Sequence, residues 1–168
     1  HVHYFTRQSL LQLAQRHQFL PIIVSQPSSP SLFGLFARAD LENTDSSNYC
    51  SQLQRIRHVA RALNMEGRGS ITLYGAGLSA VYLVNCDELT PLTKARLNVV
   101  DDNPAIVGRV LPGHNAIITA ATRDILQRAV LIVLTANPQY HTSIESQIKS
   151  LAPQATVTNL AKLAARGA

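Results

Sequence analysis

Residues 69–104, GSITLYGAGLSAVYLVNCDELTPLTKARLNVVDDNP, restrict the fold of this chain more than any other stretch. Ile71, Leu73 and Tyr74 form a short apolar run with β-branched character. It breaks at Gly75-Ala76-Gly77, and apolar positions then recur at helical spacing at Leu78, Val81 and Tyr82, running on to Asn85. A second apolar run, Leu97 to Val100, ends in Asp101-Asp102. Strand, tight turn, helix and strand in that order predict the opening βαβ unit of a doubly wound parallel sheet. Gly75 permits a sharp exit from the strand, Gly77 lets backbone come close to a ligand, and Ala80 fits a tight helix–strand contact.

The helix after such a turn starts with free N–H groups facing the crevice at the carboxyl ends of the strands, a setting suited to phosphate or carboxylate. Asp101 follows Gly77 at about the spacing at which dinucleotide-binding folds place a ribose-binding acid. The same glycines also close a strand–helix junction in folds that bind nothing, so a ligand site and an empty crevice both stay open at this point.

Composition removes several alternatives. The 168 residues are 46% hydrophobic but 5% aromatic, with no tryptophan, which suits one ordinary domain plus an appendage around a core of Leu, Ile, Val and Ala. No apolar run approaches the roughly 18 residues that span a bilayer, and no charged-then-apolar leader is present, so the expected setting is soluble and cytoplasmic, with no membrane partner. Cys50 and Cys86 have no Cys or His at metal-ligand spacing, so no metal site is expected. The net charge of +5 comes from basic residues scattered along the chain. Arg55, Arg57 and Arg61 come closest to a cluster, but they share one helix face and have no aromatic residues interleaved for base stacking, which argues against nucleic acid. A mildly basic surface also suits an anionic small ligand such as a sugar nucleotide.

Ahead of the central unit, Thr6 can cap a helix ending near Gln18, with Leu10, Leu11, Leu13, Ala14 and His17 on one broad face. Residues 20–25 and 32–39 read as two strands of an antiparallel hairpin, joined by a loop at 26–31. One helix and two strands cannot cover both faces of their sheet, so residues 1–40 are expected to be the edge of a domain begun upstream. Residues 41–68 then read as a linker helix, with Thr44, Asp45, Ser46 and Ser47 as caps and an apolar stripe at Tyr49, Leu53, Ile56, Ala60 and Leu63.

Residues 69–168 complete a second domain. After Asp101-Asp102, NPAIVGRVLPG reads as a structured loop on the ligand-binding edge. Strands at 116–119, 129–134 and 155–157 alternate with helices at 122–128 and around Tyr140, Ile144, Ile148 and Leu151, leaving 160–168 as a short helix or a frayed tail. The fold class is therefore α/β, a Rossmann-like, mainly parallel five-stranded sheet with strand order 3-2-1-4-5 behind the helix and hairpin. His114 and His141 follow loops on the binding edge and could touch a ligand, beside the plainer reading of surface histidines. His58 lies near the apolar edge of the linker helix and reads as structural.

Two segments carry a family resemblance. HVHYFTRQSLLQLAQRHQF with IIV and LFGLFARA resembles the closing helix and strand pair of class I S-adenosylmethionine-dependent methyltransferases. His1, Tyr4, Phe5 and Thr6 match the His-x-x-Tyr-Phe-Ser/Thr motif when its spacing slips by one. VVDDNPAIVGRVLPGHNAII and VLIVLTANPQYHTSI resemble the C-terminal Rossmann-like domain of nucleotide-sugar C-methyltransferases, through Asp101, Asn103, Pro104, Gly108, Arg109, Pro112, Gly113 and Asn137. Ala136 stands where that family has Trp, and Ile106 or Val107 where it has Lys.

The resemblance implies a domain that holds a sugar-nucleotide-like substrate for a methyltransferase domain lying N-terminal to it. S-adenosylmethionine would belong to the parent protein, with no cofactor and no catalytic residue in these residues. The expected substrate-binding set is Gly75, Ala76, Gly77, Asp101, Asn103, Pro112, Gly113 and Asn137. GAGLSA and Asp101 also fit an NAD(P)-binding oxidoreductase domain, and a ligand-free interaction domain is the third alternative.

Overall fold

The computed structural model describes residues 6–17, 19–28, 31–38 and 46–167. The motif residues His1, Tyr4 and Phe5, the helix stop at Gln18 and the caps Thr44 and Asp45 lie outside them. The chain divides into two compact units, His1–Gln52 and Leu53–Ala168.

In the first unit, α1 (Arg7–Arg16) begins at a reciprocal cap. The Ser9 N–H donates to Thr6 Oγ1 at 3.1 Å, and the Thr6 N–H donates to Ser9 Oγ at 2.9 Å, so two orphan donors of the first turn are satisfied. Strands β1 (Phe19–Ser28) and β2 (Ser31–Arg38) pair antiparallel from Phe19 opposite Arg38 to Ser28 opposite Ser31. The loop expected at 26–31 is shorter, because Gln26, Pro27 and Ser28 belong to β1. In a two-stranded ladder every strand is an edge, so Pro27 needs no inward N–H, and the register slips between Ser25 and Ser28 where it sits.

The long helix α2 (Ser46–Met65) crosses from one unit into the other. Within the second unit its stripe is buried, with Val59, Ala60 and Leu63 at 0% exposure. Strand β3 (Ser70–Tyr74) leads to α3 (Leu78–Val84), the one-turn α4 (Pro91–Lys94) and β4 (Leu97–Val100). Then come β5 (Ile118–Thr119), α5 (Arg123–Arg128), β6 (Ala129–Leu134), a 3-10 turn (Pro138–Tyr140), α6 (His141–Leu151), β7 (Val157–Asn159) and α7 (Leu160–Arg166).

The five strands β3 to β7 form one parallel sheet in the order β5-β4-β3-β6-β7, the expected 3-2-1-4-5 arrangement of a Rossmann-like fold. Tyr74, Val100, Ile132 and Leu134 on one face join Leu126 of α5 and Ile144 and Ile148 of α6 in a single apolar cluster. The alternate residues Ile71, Leu73, Val99, Leu131 and Val133 point to the other face and are equally buried. Strands buried on both sides, with helices on both sides of the sheet, explain why β6 reads AVLIVL without polar alternation.

Three elements depart from expectation. The third strand shrinks from 116–119 to Ile118–Thr119, because Val110 and Ile117 pair across the preceding loop. The last strand lies two residues beyond 155–157, ending where Asn159 caps α7 by accepting from the Lys162 N–H at 3.0 Å. The short α4 is an addition, started by Thr90, which accepts from the Thr93 N–H at 3.2 Å, with Pro91 at the first helical position. No helix among the described residues is long and apolar enough to cross a membrane.

Candidate functional site

The chain builds outward from β3 to β4 and β5, then returns to place β6 on the other side of β3. The strand order therefore reverses between β3 and β6, and the loops leaving their carboxyl ends diverge to opposite faces. A crevice at that reversal is the usual ligand position in open α/β sheets. A cleft of about 490 Å³ opens there.

Its floor is the turn after β3. Gly75 has φ of +107°, and a Cβ on it would stand 2.5 Å from the Ala136 backbone nitrogen in the loop after β6. Glycine is demanded there by conformation and by the approach of the two loops. Thr135 stitches the loops together, its hydroxyl donating to the Gly75 carbonyl at 2.6 Å. Gly77 differs: its φ is −82°, available to any residue, and a Cβ would meet nothing within 4 Å. It lines the cleft, and the missing side chain keeps that space open.

One wall is the end of β4. Asp101 lines the cleft, yet both of its oxygens hold backbone: Oδ2 accepts the Ala76 N–H at 2.8 Å and Oδ1 accepts the Asn103 N–H at 2.9 Å. Asp101 thus clamps the glycine turn to the β4 loop. Asp102 also lines the cleft and is exposed, and its Oδ2 accepts the hydroxyl of Tyr74 at 2.7 Å. Tyr74 itself is 1% exposed. Burial first, then the hydrogen bond and charge of Asp102 and the charge of Asp101, hold its phenol above the ordinary value of 10.0, so it stays a donor.

The opposite wall comes from β6 and α6. Asn137 caps the 3-10 turn by accepting from the Gln139 N–H at 3.2 Å, and this fixes Tyr140, 54% exposed, at the rim. Ser143, Ile144 and Gln147 follow down α6, and Gln147 Nε2 donates to Asp102 Oδ1 at 3.4 Å. Ser143 has its hydroxyl committed to the Tyr140 carbonyl at 2.8 Å.

Of the expected binding residues, Gly75, Gly77, Asp101, Asn103 and Asn137 come together around the cleft. Ala76 is adjacent, with its N–H held by Asp101. Pro112 and Gly113 do not line it. They lie at the end of α3, where Asn85 Nδ2 donates to the Pro112 carbonyl at 3.0 Å and a Cβ on Gly113 would strike the Asn85 amide. The Pro-Gly pair therefore serves loop folding. His114 supports the same loop, accepting the Ala116 N–H on Nδ1 at 3.0 Å while Nε2 faces the Lys94 carbonyl at 3.1 Å. His141 Nε2 faces the Ala136 carbonyl at 2.9 Å.

Sequence reasoning missed Tyr74, Asp102, Tyr140, Ser143 and Gln147 as site residues. The available signal was the polar border of the α6 stripe: Tyr140, Ser143 and Gln147 recur at spacings of about one helical turn beside the apolar residues. No group of three or more His, Cys, Asp and Glu side chains able to hold a metal ion occurs among the described residues. The chain matches no family model, no curated protein and no solved structure.

Proposed function

We propose that the second unit is a substrate-holding domain, and that the cleft between β3 and β6 receives part of a sugar-nucleotide-like ligand. In this reading the unit serves a S-adenosylmethionine-dependent C-methyltransferase whose chemistry is performed by another domain. The observation that carries the proposal is the cleft itself: it stands at the strand-order reversal and is floored by a Gly77 that the protein's own packing does not require. The cleft is rimmed by an exposed aromatic ring and lined by carboxylate and amide groups, a combination that suits a ring with hydroxyl substituents. Two of its three hydroxyls, on Ser143 and Tyr74, are bound to a backbone carbonyl and a carboxylate, and no histidine among the described residues lines the cleft, an arrangement that suits holding a ligand.

Isothermal titration of the chain with a panel of nucleoside diphosphate sugars, S-adenosylmethionine and NAD tests the reading. Heat from at least one sugar nucleotide and none from S-adenosylmethionine is the expected result. Micromolar binding of S-adenosylmethionine, or silence across all the sugar nucleotides, would overturn it.

A further inference from the structure

Two adjacent carboxylates end β4, and a dinucleotide-type reading of the sequence selects the first of them. The geometry selects the second. Asp101 is half-buried and holds backbone, with one N–H on each oxygen, and Ala76 gives it the turn N–H that would otherwise meet a phosphate. Asp102 is exposed at the cleft and held from behind by side chains alone: the buried Tyr74 hydroxyl at 2.7 Å and the Gln147 amide at 3.4 Å. A phenylalanine would fill the core position of Tyr74 equally well, so the hydroxyl contributes by fixing this carboxylate. Each carboxylate oxygen accepts more than one hydrogen bond, and because Asp102 is exposed its remaining lone pairs are open to a ligand.

The charge of the cleft adds a second constraint. Among the described residues, Asp101 and Asp102 are its only ionisable lining groups apart from the tyrosines, and no Lys, Arg or His lines it. A phosphate placed there would meet two carboxylates without a compensating cation, whereas hydroxyl groups would find acceptors already oriented.

Resting on the reading of the cleft as a sugar-nucleotide site, we infer that Asp102, positioned by Tyr74, is the residue that reads the ligand, and that it binds the vicinal hydroxyls of a sugar ring while the phosphates lie outside. The ring is either the ribose of the nucleoside or the hexose beyond the diphosphate, and both present the same donor pair.

Titrations of the full chain and of Asp102→Asn and Tyr74→Phe with UDP-glucose, UDP, uridine and dTDP-glucose separate these cases. Asp102→Asn weakens UDP-glucose binding by about tenfold or more, the loss expected for hydrogen bonds to a charged acceptor. Tyr74→Phe weakens it less, about threefold to tenfold, and adds little on top of Asp102→Asn, because both changes act on one carboxylate. If the ribose is the ring, UDP and uridine bind like UDP-glucose and dTDP-glucose is weakened by the missing 2′-hydroxyl. If the hexose is the ring, dTDP-glucose keeps its affinity and UDP loses it. Tyr74→Phe retains the circular dichroism and melting profile of the parent, which separates positioning from folding.

Unchanged UDP-glucose affinity in Asp102→Asn overturns the inference and leaves the cleft reading intact. Under the ribose arm, UDP binding more than about tenfold tighter than uridine likewise overturns it, by placing the phosphates in the cleft. Silence of all four probes overturns the inference, and silence of the wider panel of nucleoside diphosphate sugars as well overturns the reading of the cleft.

Discussion

Gly75 and Gly77 are two positions apart and lack a side chain for opposite reasons. Gly75 carries a positive φ and touches backbone, so any Cβ there adds left-handed strain to a collision with Ala136. Gly77 has ordinary dihedrals, open space and no side-chain cap for α3. Gly75→Ala is expected to destabilise the fold by about 2–4 kcal/mol. Gly77→Ser is expected to leave stability unchanged or raise it by up to about 1 kcal/mol, since serine can supply the missing N-cap bond, while its side chain enters the cleft and weakens ligand binding. Urea unfolding with ligand titration separates the two, and equal destabilisation by both changes would remove the argument that Gly77 is kept for a ligand. The sequence showed that glycines belong at this turn, but it could not show which one the fold itself needs, because that depends on a loop about sixty positions away. The same limit hid Asp102: two neighbouring aspartates look alike until backbone N–H groups claim one of them.

At the scale of elements, α2 is fastened to the loop before α4 by polar contacts. Asn64 Nδ2 donates to the Glu88 carbonyl at 2.6 Å, Arg57 Nε lies 3.2 Å from Glu88 Oε1, and the Cys86 thiol donates to Glu88 Oε2 at 3.0 Å. The thiol hydrogen bond first, then Arg57 and Arg61 against the opposing effect of burial, hold the Glu88 carboxyl below its ordinary 4.5. Desolvation, then the bond to Glu88, pushes the Cys86 thiol up to about 11. A lowered carboxyl stabilises the fold above pH 4.5 and ceases to do so as pH falls through its folded value; a raised thiol stabilises below pH 9.0 and ceases to do so as pH rises toward about 11. Glu88→Gln is therefore expected to cost up to about 1 kcal/mol near neutral pH, because the arginines are more than half exposed, and progressively less in acid. Urea midpoints of both proteins at neutral and acidic pH check this, and a loss independent of pH would assign Glu88 a packing role instead. These ties were not legible in the sequence, where CDELTPLTK showed neither period and α4 is a single turn. The strands were legible because burial on both faces leaves an unbroken apolar run at β6 and a run at β4 interrupted only by the exposed Asn98. The end of β7 was less so, since TVTN is polar at three of its four positions and its limit is set by the Asn159 cap.

For the molecule as a whole, strand order followed from the sequence because parallel crossovers leave few arrangements, but the boundary between units did not. An amphipathic stripe announces that a helix is buried without naming what buries it, and residues 41–68 accordingly read as a linker. The division falls inside α2, after Gln52, and places the remainder of the helix with the sheet. Ile56, Val59 and Leu63 are 7% exposed or less, and Glu66 pairs with Arg166 at 3.7 Å, which ties the helix to the far end of the same unit. Burial of three such side chains is worth about 1.5–3 kcal/mol each, comparable with the roughly 5–15 kcal/mol that holds an entire domain together. A chain of residues 46–168 is thus expected to unfold in one cooperative urea transition and to keep its ligand affinity, since all the cleft residues fall within it. A chain of residues 69–168, though it retains every strand of the sheet, should lack that transition or show it at much lower urea. Equal midpoints for the two would mean that α2 lies on the core without contributing to it, and the second unit would then begin at β3.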